Sequence, residues 1–207
     1  MKVSIIGTGY VGLVTGVCFA EKGHQVTCVD VDQAKVDSIN NGVAPIYERG
    51  LGDLLKKHVG GRLRASTDLS GAVQQTDLSL IAVGTPFDGR EIDLTYIKAV
   101  SKEIGQALRN KLGYHVVIVK STVVPGTTDD VVCPILEEAS GKNAGIDFGV
   151  GMNPEFLTEG EAVNDFLFPD RIVLGGMDKA TIDQQARLYE GFPGVEVLHV
   201  NNKTAEM

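Results

Sequence analysis

A chain of 207 residues, 43% of them hydrophobic, is long enough to bury a substantial core in one large or two small domains. Its formal net charge of −8 excludes a basic field that would hold a nucleic acid backbone, so a phosphate ligand must be met by local amides and a few cations. No apolar run approaches the roughly 20 residues of a membrane span, the stretch before the first glycine turn is too short for a signal peptide, and three cysteines without metal-ligand spacing fit a reducing cytoplasm better than a disulfide framework.

In chain order the pattern predicts strands at Val3–Ile6, Gln25–Val29, Leu63–Ser66, Leu78–Val83, His115–Val119, Phe148–Gly151, Arg171–Leu174 and Val195–Val200. Several are apolar at most positions, as is typical of strands covered on both faces. Helices are expected between them at Tyr10–Lys22, Gln33–Asn40, Gly50–Lys57, Leu69–Gln75, Leu94–Asn110, Thr127–Ala139 and Lys179–Tyr189, and the last residues, Lys203–Met207, read as a helix just begun. This alternation implies an α/β fold, a doubly wound, mostly parallel sheet with helices on both faces.

The first strand runs into Gly7-Thr8-Gly9-Tyr10-Val11-Gly12, a GxGxxG turn that opens a helix. That context makes it a Rossmann-like dinucleotide turn: Gly7 for the tight bend, Gly9 for backbone approach to a pyrophosphate, Gly12 for close helix–strand packing. The second strand ends at Asp30, 18 residues after Gly12, near the spacing of an acid that accepts from ribose hydroxyls. A carboxylate there repels a 2′-phosphate, so NAD is expected over NADP, and Asp32 adds to the repulsion. Lys35 is placed either over the adenine–ribose pocket or in solvent.

Later strand ends carry Gly84-Thr85-Pro86 and Lys120-Ser121-Thr122-Val123-Val124-Pro125-Gly126, where the carboxyl edge of an open sheet binds ligands. Ordinary strand-to-loop chemistry explains these segments equally well. The segment Asn153-Pro154-Glu155-Phe156-Leu157-Thr158-Glu159-Gly160 sets two carboxylates four residues apart, expected to share one helix face. Glu155 or Glu159 can serve as a general base, or both can be acids favoured by a helix dipole.

Taken together, Gly7–Gly12 with Tyr10 and Val11, Asp30, Gly84–Pro86, Ser121–Thr127, Asn153–Gly160 and Pro169-Asp170-Arg171-Ile172-Val173 make the chain resemble the UDP-glucose/GDP-mannose dehydrogenase family, in its amino-terminal NAD-binding domain. The resemblance implies two successive NAD-dependent oxidations of a sugar-nucleotide primary alcohol to a carboxylate. It implies that Gly7, Gly9, Tyr10, Val11, Gly12, Asp30, Lys35, Thr85 and Thr122 line the cofactor, with Thr122 also holding water near the reacting carbon. Glu155 matches the family's acid/base residue, Glu159 its neighbour, and Phe156 and Leu157 the backbone along the sugar nucleotide. Glu159-Gly160 and Pro169–Val173 favour UDP-glucose, oxidised to UDP-glucuronate, over GDP-mannose. The expected layout is an NAD-binding domain over 1–200 and the truncated start of a central connecting helix over 201–207, with the family's UDP-binding C-terminal domain absent from the chain. Members of the family carry a nucleophilic cysteine and a dimerisation helix downstream. Cys18, Cys28 and Cys133 fall inside predicted elements and do not replace that nucleophile, so the chain alone is expected to bind NAD without turning over substrate, and the full-length protein to be a homodimer. The four histidines are given no role and no metal is expected. Two other readings remain: a 3-hydroxyacid or 6-phosphogluconate type of dehydrogenase, which lacks the paired Asn153–Leu157 and Ser121–Gly126 segments, and a non-catalytic NAD-binding module, which has no need of Glu155, Glu159 and Thr122 together.

Overall fold

The apolar runs become eight strands: β1 (Lys2–Ile6), β2 (Gln25–Val29), β3 (Leu63–Ser66), β4 (Leu78–Ile81), β5 (His115–Val119), β6 (Phe148–Met152), β7 (Arg171–Gly176) and β8 (Glu196–Val200). A computed structural model describes residues Met1–Met207. The strands form one sheet in the order β3-β2-β1-β4-β5-β6-β7-β8. All neighbours run parallel except β6 and β7, which pair antiparallel through Gly151 with Gly176 and Met152 with Gly175. The order reverses between β1 and β4, the switch point at which open α/β sheets take ligands.

Side-chain parity along each strand sorts the core into two layers. Val3 and Ile5 of β1, Val26 and Cys28 of β2, Leu78 and Leu80 of β4, and Val116 and Ile118 of β5 face one layer; Ile6, Val29, Ile81, Val117 and Val119 face the other. Over the first layer lie α1 (Tyr10–Glu21), α2 (Gln33–Asn40), α3 (Leu51–His58), α7 (Ala162–Leu167) and α8 (Lys179–Ala186), the last followed by a 3₁₀ turn at Arg187–Tyr189. Over the second lie α4 (Leu69–Gln75), α5 (Thr95–Arg109), α6 (Cys133–Ser140) and α9 (Asn202–Ala205). In β6 the alternation is Phe148, Val150 and Met152 toward the second layer with Gly149 and Gly151 between. A Cβ on either glycine would collide with Thr181 or Gln185 of α8, so glycine is what lets that helix lie on the sheet.

Two expectations are modified. Helix α7 has no counterpart in the predicted elements; its Phe166 packs edge-on against Phe19 of α1, with ring centroids 5.0 Å apart. The helix expected from Thr127 instead starts with a π turn at Thr128–Val132, closed by a bond from the Cys133 N–H to the Thr128 carbonyl. Pro134, in the first turn of α6, has no N–H for the next i→i−4 bond, so the backbone winds wider before the α ladder begins. No helix is long and apolar enough to cross a membrane.

Candidate cofactor and substrate site

The glycine turn is shaped by backbone crowding. Gly7 sits at φ 101°, where a side chain is strained, and a Cβ on it would lie 2.7 Å from the Ala82 carbonyl oxygen. A Cβ on Gly12 would run into the carbonyl of Gly7, so only glycine lets α1 start this close to β1. Gly9 is different: a Cβ there would meet nothing within 4 Å. It is also the N-cap of α1, with no side chain to cap the helix and no acid in the first turn. The leading amides of a 12-residue helix are therefore directed outward with the positive end of its dipole, an arrangement that suits a pyrophosphate.

Asp30 stands beside this turn. Its carboxylate accepts from the Thr8 N–H at 2.9 Å, the Thr8 hydroxyl at 2.5 Å and the Asp32 N–H at 3.0 Å. Burial opposes its ionisation, but the Thr8 and Asp32 donors and the Lys35 charge outweigh burial and hold the carboxyl below its usual range. Three donors on roughly four lone-pair positions leave an acceptor for a ribose hydroxyl. Lys35 reaches 3.9 Å from Asp30, which places it at the acid rather than free in solvent. Asp32 caps α2 by accepting from Ala34 and Lys35 amides.

The β4 and β5 ends are laced together. The Thr85 hydroxyl donates to the Thr122 carbonyl at 2.7 Å, and the Ser121 hydroxyl donates to the Val83 carbonyl at 2.7 Å. A cavity of about 390 Å³ opens beside them, lined by Lys120, Thr122, Glu155, Phe156, Arg171 and Glu206 among others.

Glu155 and Glu159 do not share a helix face. Residues 153–158 have no regular structure, and α7 begins only at Ala162. Pro154 disfavours helix at Asn153, Gly160 turns at φ 91°, and the Glu155 carboxylate accepts from the Leu157 N–H at 2.7 Å, closing a local turn instead. Glu155 thus reaches the cavity from a turn, while Glu159 lies exposed further along.

A second contact joins this segment to the cofactor helix. The Tyr10 hydroxyl donates to Glu48, and the Gly160 N–H donates to the same carboxylate oxygen at 2.9 Å. Burial, then the Glu48 carboxylate, push the Tyr10 hydroxyl up to about 12, so it stays a donor. Glu48 escaped sequence reading because it lies in a loop between α2 and α3 with no motif around it. Lys120 left a better signal: a lysine directly after five buried strand residues, itself only 3% exposed.

The three thiols stand apart from the site. Burial pushes Cys18 and Cys28 up to about 12 and, with Glu137 nearby, Cys133 up to about 11. Such thiols hold their protons and are poor nucleophiles.

The model of the UDP-glucose/GDP-mannose dehydrogenase family, NAD binding domain, matches residues 1–193. A GDP-mannose 6-dehydrogenase of Pseudomonas syringae pv. syringae is 50% identical over 192 residues, covering 92% of this chain and 44% of that protein. A UDP-glucose 6-dehydrogenase of Haloferax volcanii is 47% identical over 190 residues, covering 91% of this chain and 44% of that one. The crystal structure of a ternary complex of GDP-mannose dehydrogenase from Pseudomonas aeruginosa superposes with a TM-score of 0.96 at 46% identity, over 100% of this chain and 48% of that one. The chain thus spans somewhat under half the length of the relatives it matches. Similarity to a GDP-mannose enzyme and to a UDP-glucose enzyme differs by too little to single out one sugar nucleotide, so the preference for UDP-glucose read from short motifs is not decided by overall similarity. With the glycine turn, its acid and the laced strand ends in the arrangement described, the chain belongs to the UDP-glucose/GDP-mannose dehydrogenase family and is its NAD-binding domain.

Proposed function

We propose that this chain is the cofactor-binding part of a sugar-nucleotide 6-dehydrogenase that oxidises a primary alcohol to a carboxylate in two NAD-dependent steps. The observation that carries the reading is the convergence of four strand ends, those of β1 at Gly7–Gly12, β4 at Gly84–Pro86, β5 at Ser121–Thr122 and β6 at Asn153–Leu157, on the carboxyl edge of one sheet. NAD, when bound, supplies the hydride acceptor. The chain's own residues bind and orient. The amides of Gly9, Tyr10, Val11 and Gly12 receive the pyrophosphate, and Asp30, with Lys35 beside it, takes the ribose. Thr85 and Thr122 line the reacting end. Glu155 is the group placed to hold or pass a proton, with the Phe156 and Leu157 backbone along the substrate and Glu159 at the rim.

Both UDP-glucose and GDP-mannose are kept as substrates: the first is supported by Glu159-Gly160 and Pro169–Val173, the second by the 50% identity to GDP-mannose 6-dehydrogenases. A thiol nucleophile for the second oxidation comes, in this reading, from outside these residues, and residues 201–207 lead toward a substrate domain and a dimer-forming helix. A reducing cytoplasm suits three unpaired cysteines.

Thermal unfolding with each nucleotide tests the reading. A ligand at 100 times its dissociation constant stabilises by about 2.7 kcal/mol, which for a domain of this size raises the midpoint by roughly 5–10 °C. A rise of that order with NAD and little with NADP is expected. No rise with either, from a cooperatively folding chain, defeats it.

A further inference from the structure

We infer that Lys120 is a positioning residue whose ammonium pins the turn carrying Glu155 against the strand end carrying Thr122, and that the turn loosens in alkaline solution when that ammonium loses its proton. The inference deepens the dehydrogenase reading and rests on it only in the use made of Glu155.

Lys120 directly follows β5, and its N–H donates to the Ile81 carbonyl at 2.9 Å, so its backbone is held by the sheet. Its side chain passes into the interior. The ammonium donates to the Asn153 side-chain oxygen at 3.1 Å and lies 3.5 Å from the carbonyls of Asn153 and Pro154. No carboxylate is hydrogen-bonded to it, although Glu155 lines the same cavity. A buried charge whose hydrogen bonds go only to neutral acceptors is costly to keep. What the ammonium achieves is geometric. It binds both residues that precede Glu155.

The same junction is tied from the other side. The Tyr189 hydroxyl donates to the Asn153 side-chain oxygen at 2.6 Å, and the Asn153 amide donates to the Val173 carbonyl at 2.9 Å. Asn153 is therefore held by β7, the 3₁₀ turn and Lys120 at once, and Pro154 gives the chain little freedom before Glu155.

Burial drives the Lys120 ammonium down to about 8, with the Glu155 charge opposing. The other ionisable groups lining this space are Glu155 on the turn, Asp165 on α7, Arg171 on β7, Tyr189 after α8 and Glu206 after α9. Burial raises the Tyr189 hydroxyl, and Lys120 is the only amine in the set. Above about pH 8 the neutral amine keeps two N–H groups for three oxygens and loses its attraction to Glu155.

The test is a pH titration of the 207-residue chain by NMR, following the Lys120 side-chain resonance and the backbone amides of Glu155, Phe156 and Leu157 from pH 6.5 to pH 9.5. Expected is a common midpoint near 8 for the lysine and the three amides, and in K120M a flat response of the amides. Amides that stay unmoved in the wild-type chain, or that titrate equally in K120M, overturn the inference. If K120M fails to fold, the wild-type titration decides alone. The Gly9 and Val11 amides report NAD in the same samples, so a chain that binds no NAD defeats the dehydrogenase reading while the Lys120 coupling is judged separately.

Discussion

His115 sets a measurable acid limit on this fold. It is 1% exposed at the start of β5. Its Nδ1 faces the Thr76 carbonyl at 3.1 Å, and its Nε2 faces the Ser79 hydroxyl at 2.9 Å. A carbonyl cannot donate, so Nδ1 carries the hydrogen and Nε2 accepts from Ser79, whose oxygen is in turn 2.6 Å from the Ser4 hydroxyl. Every position is satisfied by the neutral ring. Burial first, and the Lys111 ammonium second, push the imidazole down from 6.5 to about 3, with the Thr76 bond opposing. In the unfolded chain the ring takes a proton at its ordinary value, so between those limits the unfolded state binds more protons and stability falls as pH falls. Each pH unit withdraws about 1.4 kcal/mol until the folded ring itself titrates, so about 3 kcal/mol is lost by pH 4.5 and about 4 kcal/mol by pH 3. Depressed carboxyls such as Asp30 and Glu21 withdraw their share only below their own unfolded values, nearer pH 4, which leaves pH 4.5–6.5 to the histidines. His24 is shifted the same way by burial, so the comparison must remove His115 specifically. H115Q keeps an amide to donate and an oxygen to accept. Urea unfolding at intervals between pH 7 and pH 4.5 is expected to show the wild-type chain losing about 3 kcal/mol more than H115Q. Parallel loss in the two proteins, or a His115 ring resonance that titrates near 6.5 in the folded state, refutes the reasoning.

Three further outcomes concern the packing of two glycines and the burial of the thiols. G12A drives a Cβ into the carbonyl of Gly7 and to 3.3 Å from the Ala82 methyl, so it is expected to cost about 1–3 kcal/mol and to weaken NAD at least tenfold; G52A, on α3 with open space around it, is expected to be neutral or stabilising by up to about 1 kcal/mol. Unchanged stability and NAD affinity in G12A would sink the packing argument. Iodoacetamide at pH 7.5 is expected to leave Cys18 and Cys28 unmodified in the folded chain and to label Cys133 slowly at most, since burial holds all three protonated; rapid labelling of Cys18 or Cys28, read by mass spectrometry, contradicts the burial described.

Much of the architecture was legible because its causes are local. Strands buried on both faces are apolar at most positions, and the turn that follows β1 needs glycine where backbone meets backbone, so β1, β2, β4 and β5 could be placed to within two residues and the Gly7–Gly12 turn read residue by residue. Asp30 was legible for the same reason, since strand length fixes where the second strand ends. The acids after β6 were not. Their four-residue spacing is helical in appearance, yet Pro154 and the bond from the Leu157 N–H to Glu155 hold the segment open. Helix α7, six residues long, has too little periodicity to announce itself and exists because Phe166 finds Phe19.

What the linear chain determined by itself is thus the order of strands and helices, the shape of the cofactor turn and the acid beside it, all set by contacts within a few residues or by burial alone. Only the tertiary structure decided which distant groups share a charge or a proton. Glu48 meets Tyr10 and Gly160 across separations of 38 and 112 residues, and Lys120 meets Asn153 across 33. Such pairings obey no period and leave no motif, because the strength of a buried polar contact depends on the solvent that folding removes from around it and not on the residues next to it in the chain.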